Sequence, residues 1–132
     1  MKVFFDSNVL LSATIFPGLC DELLLRCAKS ETVLTSVLVR TEAHAVLARK
    51  FPRRVAAPAV FDTVWQEALC IDDVSEPVGD NDARLVAAAA AADADLFVTG
   101  DRRVLDWKSA GPMRIVSPRE AWVILFPAPQ EP

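Results

Sequence analysis

Met1-Lys2-Val3-Phe4-Phe5-Asp6-Ser7-Asn8-Val9-Leu10-Leu11 is the stretch whose reading decides the fold. Lys2 to Phe5 is a short apolar, β-favouring run, the pattern of a strand buried on both faces. It stops at Asp6, and Ser7-Asn8 hands the chain to a helical pattern of apolar residues. An acid at the C-terminal tip of a buried strand sits where open α/β sheets bind their ligands. Asp6 is equally suited to cap that helix, a role worth about 1 kcal/mol. Which role prevails depends on what the rest of the chain brings beside it.

At 132 residues the chain is long enough for one domain that buries roughly two-thirds of its unfolded surface. A net charge of −4 argues against a broad, non-specific nucleic-acid coat. It leaves room for a nuclease, whose metal-binding acids make the site negative while basic residues stand at its rim. Cys20, Cys27 and Cys70 are odd in number and lack C-x-x-C spacing, so they read as buried thiols of a reducing compartment. No signal peptide precedes the first strand, and the longest apolar run, Leu85 to Ala92, is too short to span a bilayer. These features predict a cytoplasmic protein with no membrane partner.

Outward from the first strand, an amphipathic stretch runs to about Thr14, breaks at Pro17-Gly18 and resumes from Asp21 to Lys29. Thr32 to Thr35 reads as a second strand, and Ser36 opens a helix to about Lys50. The apolar side of that helix is Val39, Ala43, Val46 and Leu47. At 100° per residue Glu42 falls about 60° from Val39, at the edge of the inward face, and His44 falls on the solvent side. A helix over Ala59 to Ala68, a third strand over Leu69 to Val74 and a Pro-Gly loop follow. Asp80-Asn81-Asp82 begins a helix of Leu85-Val86 and six alanines, whose small side chains let it lie close to the sheet. Asp95 to Thr99 contains a fourth strand ending at Gly100-Asp101, and a short helix covers Arg102 to Trp107. Arg114 to Val116 is the fifth strand, and Ser117-Pro118-Arg119-Glu120 caps the last helix. Strands alternating with helices predict an α/β fold: a three-layer α/β/α sandwich on a five-stranded parallel sheet. One domain over 1–126 and a flexible Pro-rich tail over 127–132 complete the expectation.

Four acids then fall at one edge of that sheet. Asp6 and Asp101 follow buried strands, and Asp82 lies in the first turn of a helix entered from the same edge. Glu42 faces inward on an otherwise apolar helix side, with no Lys or Arg obviously placed for it. Helix capping could account for each aspartate separately, but not for Glu42. Two carboxylates ~4 Å apart repel by roughly 4 kcal/mol at an effective dielectric near 20. Several in one pocket must therefore protonate or hold cations. Oxygen donors without Cys or His suit a hard ion such as Mg²⁺ or Mn²⁺. Metal-assisted hydrolysis of a phosphodiester is the natural chemistry of such a set.

The segments Val3 to Leu10, Glu42 to Phe51, Asp82 to Ala90 and Ala94 to Asp101 together resemble the PIN domain family. The resemblance extends through Ser117-Pro118-Arg119-Glu120-Ala121, across nearly the whole chain. It implies a Mg²⁺- or Mn²⁺-dependent ribonuclease on a five-stranded parallel sheet, similar to the VapC-type toxins of bacterial toxin–antitoxin pairs. It makes Asp6, Glu42, Asp82 and Asp101 the metal-binding and catalytic acids, with Asn8 and Thr99 as supporting polar residues. Relatives often carry a further acid where this chain has Gly79; Asp80 is offset by one, as a supporting residue or an N-cap. The expected partners are an RNA substrate, a cognate antitoxin covering the acidic groove, and a second copy of the chain in a homodimer.

Arg102 and Arg103, beside Asp101, are candidates to hold an RNA phosphate, and Arg53 and Arg54 are candidates for contacts along the RNA backbone. Trp65, Trp107 and Trp122 read as core or interface residues. Two other readings compete. One is a non-catalytic domain of the same fold that binds RNA or protein, which has no need of four clustered acids. The other is a phosphotransfer protein, which fits badly: Asn8 stands where a phosphatase D-x-D places its second acid, and Val116-Ser117-Pro118 supplies no receiver-type lysine.

Overall fold

A computed structural model describes residues 1–129. Strand β1 (Lys2–Phe5) is central, and Val3, Phe4 and Phe5 are wholly buried, each Phe contributing about 1.5–3 kcal/mol. Helix α1 (Ser7–Ile15) leaves its tip, and α2 (Leu19–Ser30) turns away from α1 by 99° across Phe16-Pro17-Gly18. Strand β2 (Thr32–Thr35) returns beside β1, and Ser36 caps α3 (Val37–Lys50) by accepting from the Val39 N–H. Helix α4 (Ala57–Glu67) begins with Pro58 in its first turn, where a missing N–H costs nothing.

The third strand is shorter than its sequence predicts. Only Leu69–Cys70 pair as β3, at the sheet edge. Ile71 still donates to the Thr35 carbonyl at 2.8 Å, but the chain then leaves the sheet. Two residues on, the Asp73 carboxylate accepts the Leu38 N–H at 2.9 Å, capping α3 from outside. Helix α5 (Asn81–Ala91) follows, with Ala88 and Ala89 buried as the alanine run implies. Strand β4 (Leu96–Val98) pairs with β1, and α6 (Arg102–Leu105) is a single turn.

The sheet has six strands in the order β3-β2-β1-β4-β6-β5, not five. The added strand is β5 (Ser109–Ala110), which pairs antiparallel with β6 (Met113–Val116) across Gly111-Pro112. Gly111 sits at φ 58°, a left-handed conformation that glycine adopts without penalty. A two-residue strand carries no periodic signal, so sequence pattern does not reveal it. The other pairings are parallel, and α7 (Pro118–Leu125) closes the chain with a Ser117–Glu120 capping box. Helices cover both faces, giving the expected three-layer α/β/α sandwich. Of the expected tail, Pro127, Ala128 and Pro129 are exposed and irregular, and residues 130–132 lie outside the described residues. Among the described residues no single helix is long and apolar enough to cross a membrane.

Candidate functional site

Parallel register decides what stands beside Asp6. Phe4 pairs with Phe97 and Phe5 with Val98, so the next residues, Asp6 and Thr99, emerge side by side on one face. The stacked Phe4 and Phe97 rings, 5.3 Å apart, lie one step below them on that face. The Thr99 hydroxyl donates to Asp6 Oδ2 at 2.7 Å, and the Ser7 N–H donates to Asp6 Oδ1 at 2.7 Å. Asp6 is thus held on both oxygens and is only 5% exposed. Burial pushes its pKa up to about 6 against the two hydrogen bonds, and the charges of Asp82 and Glu42 push the same way. A capping aspartate in water has no reason to carry such a shift.

Glu42 reaches the site from α3 by a contact that sequence spacing does not reveal. Its Oε1 accepts the Ser7 hydroxyl at 2.6 Å, and its Oε2 accepts the Asn81 side-chain amide at 3.4 Å. The partner of this inward glutamate is therefore a hydroxyl and an amide rather than a base. Ser7 is buried, and its place directly after Asp6 was the one available hint. Asp82, half-buried in the first turn of α5, has its pKa raised by burial first and then by the charges of Asp101 and Glu42. Asp101 is exposed; its backbone N–H donates to the Thr99 hydroxyl at 3.1 Å, and its Oδ1 caps α6 through the Arg103 N–H at 2.9 Å. Each of the four acids feels at least one other, so they share one locality at the C-terminal edge of the sheet.

They do not close into a cage. Among the described residues, no three acids, histidines or cysteines gather tightly enough to hold a metal ion as they stand. The donor chemistry nonetheless fits a hard divalent cation. The donors are oxygens, and two of the carboxyls, Asp6 and Asp82, have their pKa values raised by burial first and by the charges of neighbouring acids second.

The remaining candidates divide. Asp80 is the N-cap of α5, accepting the Ala83 N–H at 3.1 Å, and it also grips Arg103, whose Nη2 lies 2.6 Å from its Oδ2. That ion pair holds the Asp80 carboxyl below the usual carboxylate range. Arg103 also reaches Asp82 at 3.3 Å. Arg102 is exposed with no ion pair among the described residues, and Asn8 is exposed beside the site. Arg53 and Arg54 are not at the acids. Arg54 lies over the Phe16 and Phe51 rings, at 5.1 and 5.7 Å, and donates to the Ile15 carbonyl at the far end of α1. That end is about 13 Å from Ser7 along the nine-residue helix. His44 is half-buried rather than on the solvent side, because α4 packs over it: its Nε2 lies 2.7 Å from Asp62, which Arg40 also holds through two N–H groups. Of the tryptophans, Trp65 donates its indole N–H to the Ser36 carbonyl, and Trp122 packs under the Arg26 guanidinium.

No protein-family model matches the sequence, and no curated protein matches it. Among solved structures, the chain is similar to one in the crystal structure of VapBC2 from Rickettsia felis bound to a DNA fragment from their promoter. The TM-score is 0.68 at 17% sequence identity, over 89% of this chain and 98% of that one. A likeness at that identity is one of fold, and the fold of this chain is a three-layer α/β/α sandwich on a mostly parallel sheet.

Proposed function

We propose that this chain is a metal-dependent endoribonuclease, acting in the cytoplasm as the toxin of a toxin–antitoxin pair. The observation that carries the reading is the buried Asp6, with a pKa near 6, at a sheet edge shared with Glu42, Asp82 and Asp101. Those four carboxylates would hold Mg²⁺ or Mn²⁺. Such an ion supplies acidity to an attacking water and neutralises phosphate charge. The chain's own task is positioning: Thr99 and the Ser7 N–H fix both oxygens of Asp6, and the Ser7 hydroxyl and Asn81 orient Glu42. Arg102 stands exposed at the rim, free to take an RNA phosphate.

The antitoxin is proposed from a second feature, at an apolar groove rather than over the acidic groove where the sequence placed it. An apolar groove of about 470 Å³ runs between α1, α2, α4 and the β3 edge, with Leu25 and Leu69 more than half exposed. Asp21, Glu31 and Glu67 line it and no Lys or Arg does, so a basic, amphipathic segment is the complementary occupant. The VapBC2 structure, similar in fold, is that of a complex bound to promoter DNA. Homodimerisation belongs to the same proposal and is read by light scattering of the isolated chain.

The competing reading is a non-catalytic RNA- or protein-binding module, favoured by the lack of a closed three-acid set. A mixed RNA pool incubated with Mn²⁺, with Mg²⁺ and with chelator decides between them. Metal-dependent cleavage by the wild type, reduced at least 100-fold in both Asp6→Asn and Asp82→Asn, is the expected result. Cleavage that survives both substitutions or persists in chelator overturns the reading. RNA retention without cleavage or metal binding favours the module.

A further inference from the structure

Arg103 is the one cation in ion-pair contact with the acidic edge among the described residues. Its grip is uneven. Nη2 lies 2.6 Å from Asp80 Oδ2, while Nη1 spans Asp80 Oδ1 at 3.4 Å and Asp82 Oδ2 at 3.3 Å. The guanidinium lies over the Trp107 ring, 5.0 Å from its centroid, and the Arg103 backbone N–H is tied to Asp101. The side chain is thus anchored at Asp80, backed by an aromatic face, and only loosely committed to Asp82. It remains more than half exposed, so part of its five-donor fork is open to a second oxyanion.

Asp80 belongs to no strand tip and contributes to α5 only as its cap. Its ion pair with Arg103 is surplus to capping, since the Ala83 N–H needs one carboxylate oxygen and the guanidinium spans both. A single positive charge therefore sits against Asp82, tethered by Asp80, a residue just outside the four acids. Two cations repel when they share one carboxylate, so a divalent ion arriving at Asp82 must compete with Arg103.

We propose that Arg103 is a tethered counter-cation: it partly offsets the charge of Asp82 in the metal-free protein, yields that carboxylate to a divalent ion, and is kept by Asp80 within reach of the RNA phosphate. Asp80 is then a positioning residue acting through Arg103. The proposal rests on the nuclease reading and assigns the regulation of its metal site.

Opposite signs in two variants test it. Calorimetry with Mn²⁺ at low salt is run on the wild type, Arg103→Gln, Arg103→Lys and Asp80→Asn, each first shown folded by its melting transition. Arg103→Gln removes the competitor and binds Mn²⁺ about tenfold more tightly, yet cleaves RNA at least tenfold more slowly at saturating Mn²⁺. Asp80→Asn frees Arg103 to settle on Asp82 and binds Mn²⁺ several-fold more weakly. Arg103→Lys keeps the charge without the fork, so its Mn²⁺ affinity stays near that of the wild type while cleavage remains low. Equal or weaker Mn²⁺ binding by Arg103→Gln, or tighter binding by Asp80→Asn, overturns the proposal and leaves the nuclease reading standing. Absence of Mn²⁺ binding in the wild type and all variants overturns both.

Discussion

At the scale of single residues, Asp6 concentrates the cost of the site. Its folded pKa of about 6 lies above the 3.8 of an unperturbed aspartate, so the folded protein holds the proton more tightly than the unfolded chain does. Below about pH 4 both states are protonated and there is no penalty. As pH rises from about 4 to 6 the unfolded chain ionises first, and stability falls; above about pH 6 the loss is complete. The difference between 3.8 and about 6 corresponds to about 3 kcal/mol, undiminished by solvent because the group is buried. Metal-free Asp6→Asn is therefore expected to be about 1–3 kcal/mol more stable than the wild type at pH 7, with a flatter pH dependence. Urea unfolding in chelator at pH 4.5 and 7 measures this. A variant less stable at pH 7 would mean that the carboxylate's two hydrogen bonds outweigh its burial.

At the scale of elements, the alanine run of α5 and the brevity of β3 have distinct causes. Ala89 is completely buried, so the helix approaches its neighbours at a distance that only a methyl group permits. Ala89→Leu would force additional carbons into a filled interior, at a cost of about 1–3 kcal/mol. A lowered urea midpoint with an unchanged slope is the expected signature, and an unchanged midpoint would place a void there. β3 stays short because it is an edge strand, paired on one side only, and because Asp73 does more for the chain by capping α3 than by continuing the ladder. The same α3 is tied to α4 through Arg40 and His44 on Asp62. This clamp keeps the helix that carries Glu42 in place.

At the scale of the whole molecule, the acidic edge and the apolar groove are separate surfaces. The groove lies against α2, α4 and the β3 edge, whereas the acids stand at the tips of β1 and β4 and on α3 and α5. Leu25→Lys, in the groove wall, should thus weaken a basic antitoxin segment at least tenfold while leaving RNA cleavage within about twofold. Titration of the chain against a basic, amphipathic peptide, with cleavage assayed in parallel, reads both effects. Loss of cleavage in this variant would merge the two surfaces into one.

Much of this molecule was legible in local pattern. Periodicity, Pro-Gly breaks and capping residues located the helices and four of the parallel strands to within a few residues, because those signals act over a turn or a single strand. The alternation of elements led directly to the parallel sheet and hence to one edge for Asp6, Asp82 and Asp101. Sequence could not show Ser7 on Glu42, Thr99 on Asp6, Arg103 between Asp80 and Asp82, or Asp62 on His44. The pairs Ser7–Glu42 and Asp6–Thr99 are separated by 35 and 93 residues, and only strand register and helix packing bring them within hydrogen-bond reach. Local chemistry determined which residues carry charge at that edge; tertiary structure decided which of them touch, since contact depends on distances that no spacing along the chain encodes.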